Sequence, residues 1–290
     1  MTDTTTVTCR RIGQGFCGTV WADDTGYGDA IKREDGGPGR SLRNDYIMHQ
    51  RAFNALSTSQ LSSVHIPRCH RFVSANDRRW WDAHIRKFLV QFRQPCNALV
   101  TDRIPPFSLS VREKLIDLYC PEKLRAASSG RSQTRTASFG RTWAEGGEWR
   151  NRIEELELDA VVYARVMAET LAVLYWVAHI DGSDVEFVLA PERQGETGRV
   201  VESGVLGEHT VWLLDFDCCR DMSQDEAGVE QAVAAFYKND PFFSRPGREN
   251  ERDRLLWKTF RERFLEASGQ ILGSETSLAR LWVKMIEAKG

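Results

Sequence analysis

The feature that most constrains how this chain can fold is an acidic segment that follows a long apolar run in the sequence. The run from Ile153 to Ile180 has apolar residues at helical spacing, which predicts one long helix. His179 and Asp181 stand at its end, an apolar strand follows, and a second predicted strand ends at Asp215. Because both aspartates come where an apolar element ends, we expect them to line a cleft. A helix cap or a loop brace is the alternative role for each.

The order of these motifs resembles a kinase catalytic centre, with a His-x-Asp, a metal ligand five residues later and an Asp-Phe at a strand end. In that chemistry the first aspartate orients or deprotonates a nucleophile, and the two later residues hold Mg²⁺ against the phosphates. Here Glu186 stands in place of the metal-binding Asn, and Asp217 in place of the glycine after Asp-Phe. If the strand continues, Asp215 and Asp217 share one side of it. The sequence therefore indicates the fold more strongly than it indicates phosphotransfer.

A glycine-rich turn near the N-terminus supports the same interpretation. Gly13, Gly15 and Gly18 fit the pattern Gly-x-Gly-x-x-Gly-x-Val, in which the missing side chains let the backbone approach a ligand. The turn opens no helix, so it does not predict a dinucleotide site, and an ordinary hairpin is the alternative. Lys32 follows where a kinase has its phosphate-pairing lysine, although a solvated lysine is the simpler interpretation. Asp45 on the next helix is the acid that would anchor it.

The length of 290 residues and this order of elements predict an α+β, bilobal fold of the protein-kinase-like (aminoglycoside-phosphotransferase-like) type. Residues 1–104 form the β-rich N-terminal lobe, with Phe88–Phe92 and Ala98–Asp102 as its last predicted strands. Residues 105–290 form a mainly helical C-terminal lobe. It opens with two prolines that end the strand ladder and mark a hinge.

An arginine-rich insertion at about residues 121–152 interrupts the C-terminal lobe. The insertion also contains Trp143 and Trp149, and a solvated loop is its simpler interpretation. The alternative is a basic, aromatic surface that contacts a phosphate backbone. The candidate phosphate-contacting residues of the insertion are Arg125, Arg131, Arg135, Arg141, Arg150 and Arg152.

The carboxylates that follow the long helix suit two chemistries. Hard oxygen donors such as Glu186 bind Mg²⁺, whereas a group of carboxylates also accepts the paired N–H bonds of a guanidinium. We expect His179 to orient the loop. Cys218 and Cys219 are expected to pack in the core, and either thiol is a nucleophile only if it faces the cleft. The candidate catalytic residues are Asp181, Glu186, Asp215 and Asp217, and Asp184 completes the acidic group.

Composition excludes several functional classes. A formal net charge of −2 argues against a protein that coats nucleic acid, although it leaves room for a local basic patch. The 7 scattered cysteines predict reduced thiols in the cytoplasm, and no Cys/His spacing would build a tetrahedral zinc site, so we predict no metal ligands. The polar N-terminus predicts no signal peptide, and charges within the apolar run favour a buried helix over a membrane span.

Strings in the C-terminal half carry a narrower resemblance. They cover residues 180–191, 213–220, 228–233 and 239–242. These strings resemble a large fungal kinase-like family, formerly described as hypothetical or zinc-finger proteins, that includes the arginine-containing cyclodipeptide synthases. The resemblance implies synthesis of cyclo(Arg-Xaa) diketopiperazines for secondary metabolism, with Arg-tRNA and a second aminoacyl-tRNA as substrates and no required cofactor. It also implies that the acidic group holds the arginyl guanidinium or an α-amino group, and that the arginine-rich insertion contacts tRNA.

Three functions therefore remain open. In a synthase the candidate catalytic carboxylates line the aminoacyl pocket, one accepts a proton from the attacking amine, and Lys32 contacts the terminal ribose-phosphate. The alternative enzyme is a small-molecule or protein phosphotransferase that uses ATP and Mg²⁺ with Lys32, Asp181 and Asp215. The third is a non-catalytic pseudokinase, and none of the three indicates a membrane or an obligate protein partner. The candidate substrate- or phosphate-binding residues are Gly13, Gly15, Gly18, Lys32, Asp45 and His179.

Overall fold

The structure is a computed structural model that describes residues 8–23, 28–59, 61, 63–120, 153–193, 199–239, 244–247 and 250–290. It has a β-rich N-terminal region and a helical C-terminal region, so the predicted α+β class is confirmed and the arrangement is consistent with two lobes. The candidate phosphate-contacting arginines all fall within 121–152 and lie outside the described residues.

Five antiparallel strands form the N-terminal sheet. In chain order they are β1 (Cys9–Gln14), β2 (Thr19–Asp23), β3 (Asp29–Arg33), β4 (Cys69–Val73) and β5 (Ala98–Asp102). Their spatial order is β1-β2-β3-β5-β4, so β5 pairs with both β3 and β4. Trp21 of β2 stands opposite Ile31 of β3, and both side chains enter one small apolar core. Because side chains alternate along a strand, burial of Ile31 places its neighbour Lys32 on the other face.

The predicted strand at Phe88–Phe92 is wrong. The chain forms α2 (Arg78–His84) and short 3₁₀ turns at Ile85–Lys87 and Val90–Phe92. Phe88 and Phe92 both contact the Trp21 ring, with centroids 5.4 and 4.9 Å away, whereas Val90 is 74% exposed. A strand would have put the side chains of 88, 90 and 92 on one face. The packing of both phenylalanines on Trp21 therefore overrides the local strand propensity.

Helix α1 (Leu42–Thr58) connects β3 to β4 and lies where the sequence predicts a helix. Ser41 caps its first turn, since the Ser41 hydroxyl accepts a hydrogen bond from the Asn44 amide. The buried face of α1 carries Asp45 and His49 as well as apolar residues. Because buried polar groups need partners, this face binds specific segments of the chain rather than a purely apolar core.

The described C-terminal region contains helices and a small three-stranded antiparallel sheet. The helices are α3 (Leu109–Tyr119), α4 (Ala160–Trp176), α5 (Glu226–Lys238), α6 (Glu251–Leu272) and α7 (Ser277–Lys289). The strands are β6 (Glu186–Ala190), β7 (Val201–Ser203) and β8 (Gly207–Leu214), in the spatial order β6-β8-β7. The pairing of β6 with β8 puts Glu186 opposite Leu214, the residue before Asp215.

Helix α4 lies in the largest core. Most of its residues are buried, and Trp176 at its end donates a hydrogen bond of 2.8 Å from Nε1 to the Ser268 hydroxyl of α6. The helix begins later than predicted because the Asp159 carboxylate caps its first amides. It ends earlier than predicted, and beyond it His179 has a positive φ of 53°, outside the helical region. No helix in the described part of the chain is long and apolar enough to cross a membrane.

An aromatic cluster joins α4 to the last three helices. The Trp282 ring of α7 lies 4.4 Å from Phe264 of α6 and 5.1 Å from Phe236 of α5, measured between ring centroids. Tyr175 of α4 lies 5.8 Å from the same Trp282 ring. All these side chains are buried, so the cluster combines a large buried apolar area with specific ring contacts. It supports the end of α4 from which the acidic loop begins.

Candidate functional site

Lys32 is held between two carboxylates from different elements. Its Nζ lies 2.7 Å from Asp45 Oδ2 of α1 and 2.8 Å from Asp215 Oδ1, just after β8. The predicted contact between Lys32 and Asp45 is therefore present. Burial alone would lower the pKa of Lys32, but the charges and hydrogen bonds of the two aspartates raise it well above its usual value. Lys32 is thus a cation at neutral pH and ties the N-terminal sheet to the end of β8.

Asp45 uses both of its carboxylate oxygens. Oδ2 accepts a hydrogen bond from Lys32, and Oδ1 accepts one of 3.2 Å from the Phe216 amide. The Asp45 side chain is 2% exposed, so these partners replace the water it loses. Asp215 has a positive φ of 67°, a strained conformation for a residue with a side chain, and this network holds it in place. The segment 215–217 is therefore fixed by α1 and β3 rather than by a continuation of β8.

Arg40 is the main residue of the site that sequence reasoning misses. Its Nη1 lies 2.7 Å from Asp217 Oδ1 and 2.9 Å from Asp184 Oδ2, and it also contacts the Cys218 sulfur. The Phe16 ring, at the tip of the glycine-rich turn, lies 5.5 Å from the Arg40 Cζ and covers the guanidinium. Burial lowers the pKa of Arg40, but the two carboxylates outweigh it and the net shift is upward. In the sequence, the one feature that could have drawn attention to Arg40 is its position between a glycine-rich linker and the residue that caps the next helix.

The Asp217 carboxylate is influenced by both the cations and the other carboxylates of the site. Burial and the nearby Asp215 carboxylate raise its pKa, Lys32 and Arg40 lower it, and the net shift is upward. Its side chain is 2% exposed, compared with 31% for Asp184. The strand does not continue through Asp215 and Asp217, because β8 ends at Leu214, so the expected shared side does not arise and the two carboxylates bind different cations.

Asp181 braces its own loop. Its Oδ1 accepts hydrogen bonds from the amides of Ser183 and Arg220, at 3.1 and 3.0 Å, and Oδ2 accepts one of 2.9 Å from Gln231 Nε2. The residue is buried, and these internal donors satisfy both oxygens. Of the two interpretations of Asp181, cleft residue or loop brace, these contacts support the brace.

Asn239 holds the same loop from the end of α5. Its Oδ1 accepts a 2.6 Å hydrogen bond from the Asp184 amide, and its Nδ2 donates a 2.8 Å bond to the Gly182 carbonyl. Both loop residues have a positive φ of 62°, which glycine adopts freely and aspartate does not. In the sequence, Gln231 and Asn239 are distinguished only because they lie in the segments 228–233 and 239–242 that carry the family resemblance. The structure gives each of them a partner in the acidic loop.

His179 and Glu186 flank this loop. The His179 side chain is exposed, and its carbonyl accepts hydrogen bonds from the Met222 amide and from Arg51 of α1, both at 2.9 Å. These contacts orient the loop through the main chain and do not involve the imidazole, so the orienting role expected of His179 stays a prediction. Glu186 is half-buried as the first residue of β6.

Two groups of side chains bring metal-ligand atoms together among the described residues. They are Asp184, Asp217 and Cys218 in the site, and Asp29, His70 and Asp102 in the N-terminal sheet. Each group already has an internal cation, which is Arg40 in the first and Arg193, paired with Asp102, in the second. Neither group includes Glu186 or Asp215, the residues in the places of the kinase Mg²⁺ ligands. In the site, Arg40 already satisfies the charge of Asp184 and Asp217, so a metal ion there would have to displace it.

The glycine-rich turn packs on a second pair of glycines. The amides of Gly36 and Gly37 donate hydrogen bonds of 3.1 and 2.9 Å to the carbonyls of Cys17 and Phe16. A Cβ on Gly36 would lie 2.4 Å from the Phe16 carbonyl oxygen, so the close approach requires glycine there. The turn is thus joined to the linker that carries Arg40.

The three glycines of the predicted pattern differ in what their positions require. Gly18 has a φ of +152°, and a Cβ there would lie 2.0 Å from the Arg33 carbonyl oxygen, so only glycine fits. Gly15 has open space around it, and a Cβ on Gly13 would make ordinary contacts. Closure of the turn onto β3 therefore accounts for Gly18, without reference to a ligand.

The thiols near the site are protonated at neutral pH. Burial raises the pKa of Cys17 to about 12 and that of Cys218 to about 11. Cys219 packs in the main core, and burial raises its pKa well above the usual value. Because the thiolate is the nucleophilic form, these cysteines are not activated for attack.

A family model described as "Zinc finger protein" matches residues 211–276, which run from β8 through α6. This segment contains Cys218 and Cys219 but no histidine, so it lacks the four sulfur and nitrogen ligands of a structural zinc site. Its two thiols are protonated, and the Cys219 sulfur donates to the Ser183 carbonyl at 3.4 Å. No curated protein matches the chain.

Proposed function

We propose that this chain is an aminoacyl-tRNA-dependent cyclodipeptide synthase that makes cyclo(Arg-Xaa) diketopiperazines. The observation that carries the proposal is the guanidinium of Arg40 between Asp184 and Asp217. A pocket that accepts this group has the charge and hydrogen-bond acceptors to receive an arginyl side chain. Residues 180–191 and 213–220 resemble a fungal kinase-like family that includes the arginine-containing synthases, which supports the same ligand.

A protein-kinase-like scaffold is part of the proposal. It is supported by the strand order β1-β2-β3-β5-β4, by Lys32 on the third strand and by its acidic partner on the following helix. Asp215, at the end of β8, stands in the place of the aspartate that binds metal in kinases.

Several features of this scaffold disfavour phosphotransfer. Asp181, which would have to accept the proton of a nucleophile, already accepts hydrogen bonds at both oxygens, from Ser183, Arg220 and Gln231. Glu186 replaces a neutral metal ligand with a second negative charge near the phosphates. Asp217 replaces the glycine and pairs with Arg40. These features favour a reaction that does not take its energy from ATP.

The proposed chemistry consists of two acyl transfers. The α-amine of one aminoacyl group attacks the ester carbonyl of the other, which forms a peptide bond and releases the 3′-hydroxyl of one tRNA. The second amine attacks the remaining ester, closes the ring and releases the second tRNA. In each step the amine loses a proton and the departing 3′-oxygen gains one, so a carboxylate that relays the proton serves both steps.

The site residues divide between binding and proton transfer. Asp184 and Asp217 bind the guanidinium of the arginyl group. Glu186, the half-buried first residue of β6, is proposed as the proton acceptor. Lys32, a cation at neutral pH, contacts the terminal ribose-phosphate of the tRNA.

A product assay by mass spectrometry tests this function. The purified chain is incubated with a charged tRNA pool that includes Arg-tRNA, with ATP removed, and a matched sample is first treated with ribonuclease. We expect an arginine-containing cyclic dipeptide that forms without ATP and disappears after ribonuclease. Turnover of ATP–Mg²⁺ with no dipeptide would overturn the proposal.

An ATP–Mg²⁺-dependent phosphotransferase is the second candidate, favoured by the network of Lys32 with Asp45 and Asp215. Thermal unfolding with and without ATP–Mg²⁺ tests it. A nucleotide-induced rise in Tm that Asp215→Ala abolishes supports this candidate, and no rise rejects it. A rise in Tm without turnover of ATP indicates a non-catalytic pseudokinase.

A further inference from the structure

The pocket of Asp184, Asp217 and Cys218, called here the cation pocket, contains a cation of the chain itself. We propose that Arg40 is an internal gate, whose guanidinium occupies the cation pocket in the free protein and leaves it when a guanidinium-bearing ligand binds. This inference rests on the proposed function and deepens it, because it states how the arginyl group gains entry. It concerns Arg40, which the proposed reaction does not otherwise use.

The cation pocket is held in place by residues other than Arg40. Asn239 fixes the backbone of Asp184, as described above. On the other side, Asn44 Nδ2 of α1 donates hydrogen bonds of 2.9 Å to the carbonyls of both Asp217 and Cys219. The backbone that carries both carboxylates is therefore held independently of Arg40, and the pocket is available to another cation.

Arg40 is attached in a way that permits it to leave. It follows Gly39, which has a positive φ of 88° and no heavy atom within 4 Å of an added Cβ. A change of backbone conformation there meets little resistance. The Phe16 ring, which covers the guanidinium, is 54% exposed, so it too can swing into solvent without opening a core. Displacement of Arg40 and of the Phe16 tip together opens the cation pocket.

The pocket suits an organic cation better than Mg²⁺. Mg²⁺ requires nearly octahedral oxygen ligands, whereas the third group here is the Cys218 sulfur, a thiol whose pKa burial raises to about 11. A guanidinium is a weakly hydrated organic cation with N–H donors, and one such nitrogen, Nη1 of Arg40, contacts both Asp184 and Asp217.

An internal occupant reduces the apparent affinity for an external one. If the open state is only a small fraction of the molecules, the apparent Kd is the intrinsic Kd divided by that fraction. Removal of the Arg40 guanidinium makes every molecule open. If the pocket is closed in roughly nine molecules of ten, affinity rises by about tenfold.

Isothermal titration calorimetry of the full chain with agmatine, without tRNA, tests the gate. Arg40→Gln removes the internal guanidinium, and Arg43→Gln is the matched control, because Arg43 lies over the Phe72 ring at 5.8 Å instead. We expect Arg40→Gln to bind agmatine about tenfold more tightly than the wild type, and Arg43→Gln to bind it as the wild type does. Unchanged or weaker binding by Arg40→Gln, or binding of Mg²⁺ in place of agmatine, would overturn the proposal.

Two further variants keep the test decisive. If circular dichroism shows that Arg40→Gln does not fold, Phe16→Ala loosens the closed state by removing its cover, and unchanged agmatine binding then rejects the gate. Asp217→Asn combined with Arg40→Gln should abolish the gained affinity, and retained affinity would reject the cation pocket as its location.

The assay also separates the gate from the proposed reaction. Tighter agmatine binding with no cyclic dipeptide would support the gate and reject the synthase. A dipeptide without the gain in affinity would support the synthase and reject the gate.

Discussion

The buried aspartate Asp45 of the site differs from the surface aspartate Asp221 in its exposure to water. Asp45 pairs with Lys32 and is 2% exposed, whereas Asp221 pairs with Arg51 and is 82% exposed. Water screens the charges of the Arg51–Asp221 pair, and if either side chain is removed, water solvates the one that remains. Loss of the Asp45 carboxylate leaves Lys32 with less negative charge and the Phe216 amide without its acceptor.

Asp45→Ala is expected to lower the free energy of unfolding by about 2–3 kcal/mol, because it removes one buried acceptor from two donors. Asp221→Ala, the matched control, is expected to cost less than about 1 kcal/mol. Urea unfolding of both variants at neutral pH measures the difference. Equal losses would show that the Lys32 network is no more important than a surface pair.

The order of motifs in the sequence is enough to predict that Lys32, Asp45 and Asp215 belong together. It is not enough to predict Arg40, which lies 177 positions from Asp217 in the chain. No periodicity or turn chemistry links residues at that separation. The side chain of Asn239 is missed for the same reason, because its partners in the acidic loop are brought to it only by the packing of α5.

Among the elements, α1 connects most of the site. Arg51 donates to the carbonyls of Ala178 and His179, and Asn44 donates to those of Asp217 and Cys219. The His49 ring lies 5.1 Å from the Phe216 ring, and its Nε2 is 2.6 Å from the Pro67 carbonyl oxygen. One helix face therefore positions both acidic segments.

Burial gives this helix a pH dependence. It lowers the pKa of His49 from its ordinary 6.5, so as pH falls below that value the unfolded chain binds a proton that the folded chain does not. The free energy of unfolding therefore decreases on acidification. His49→Gln keeps a donor for Pro67 and should flatten this decrease between about pH 7 and 5.

Urea unfolding at a series of pH values measures the slope for both proteins. His209, whose pKa burial also lowers, is present in both and cancels from the comparison. Parallel curves for the wild type and His49→Gln would contradict the expected contribution of His49.

The end of α5 is the second element that controls the acidic loop. Asn239→Ala removes hydrogen bonds to Asp184 and Gly182 and is expected to cost about 1–3 kcal/mol. Asn250→Ala removes the N-cap of α6 and serves as a control, with an expected cost of about 1 kcal/mol. Hydrogen exchange should quicken in the loop 181–186 for the first variant only. Equal exchange of this loop in both variants would contradict the proposed brace.

For the whole molecule, the site lies where the two regions meet. Lys32 of the sheet binds Asp215, Arg40 of the linker binds Asp184 and Asp217, and α1 binds the same segments through the contacts above. The order of predicted elements is sufficient for the α+β class, because strand and helix patterns are segregated along the chain. The pairing of the regions through Arg40 and Asn44 depends on the tertiary structure and could not be foreseen.

We propose that the acidic site binds an arginyl group and joins it to a second aminoacyl group. The most direct measurement is cyclic dipeptide formation from tRNA charged with isotopically labelled arginine, in the wild type, Asp217→Asn and the exposed control Asp221→Asn. We predict a labelled, ribonuclease-sensitive product from the wild type and the control, and a loss of about tenfold or more in Asp217→Asn, since charge-assisted hydrogen bonds contribute about 1.5–3 kcal/mol. A product without the arginine label, or equal yields from Asp217→Asn and the wild type, would contradict this account.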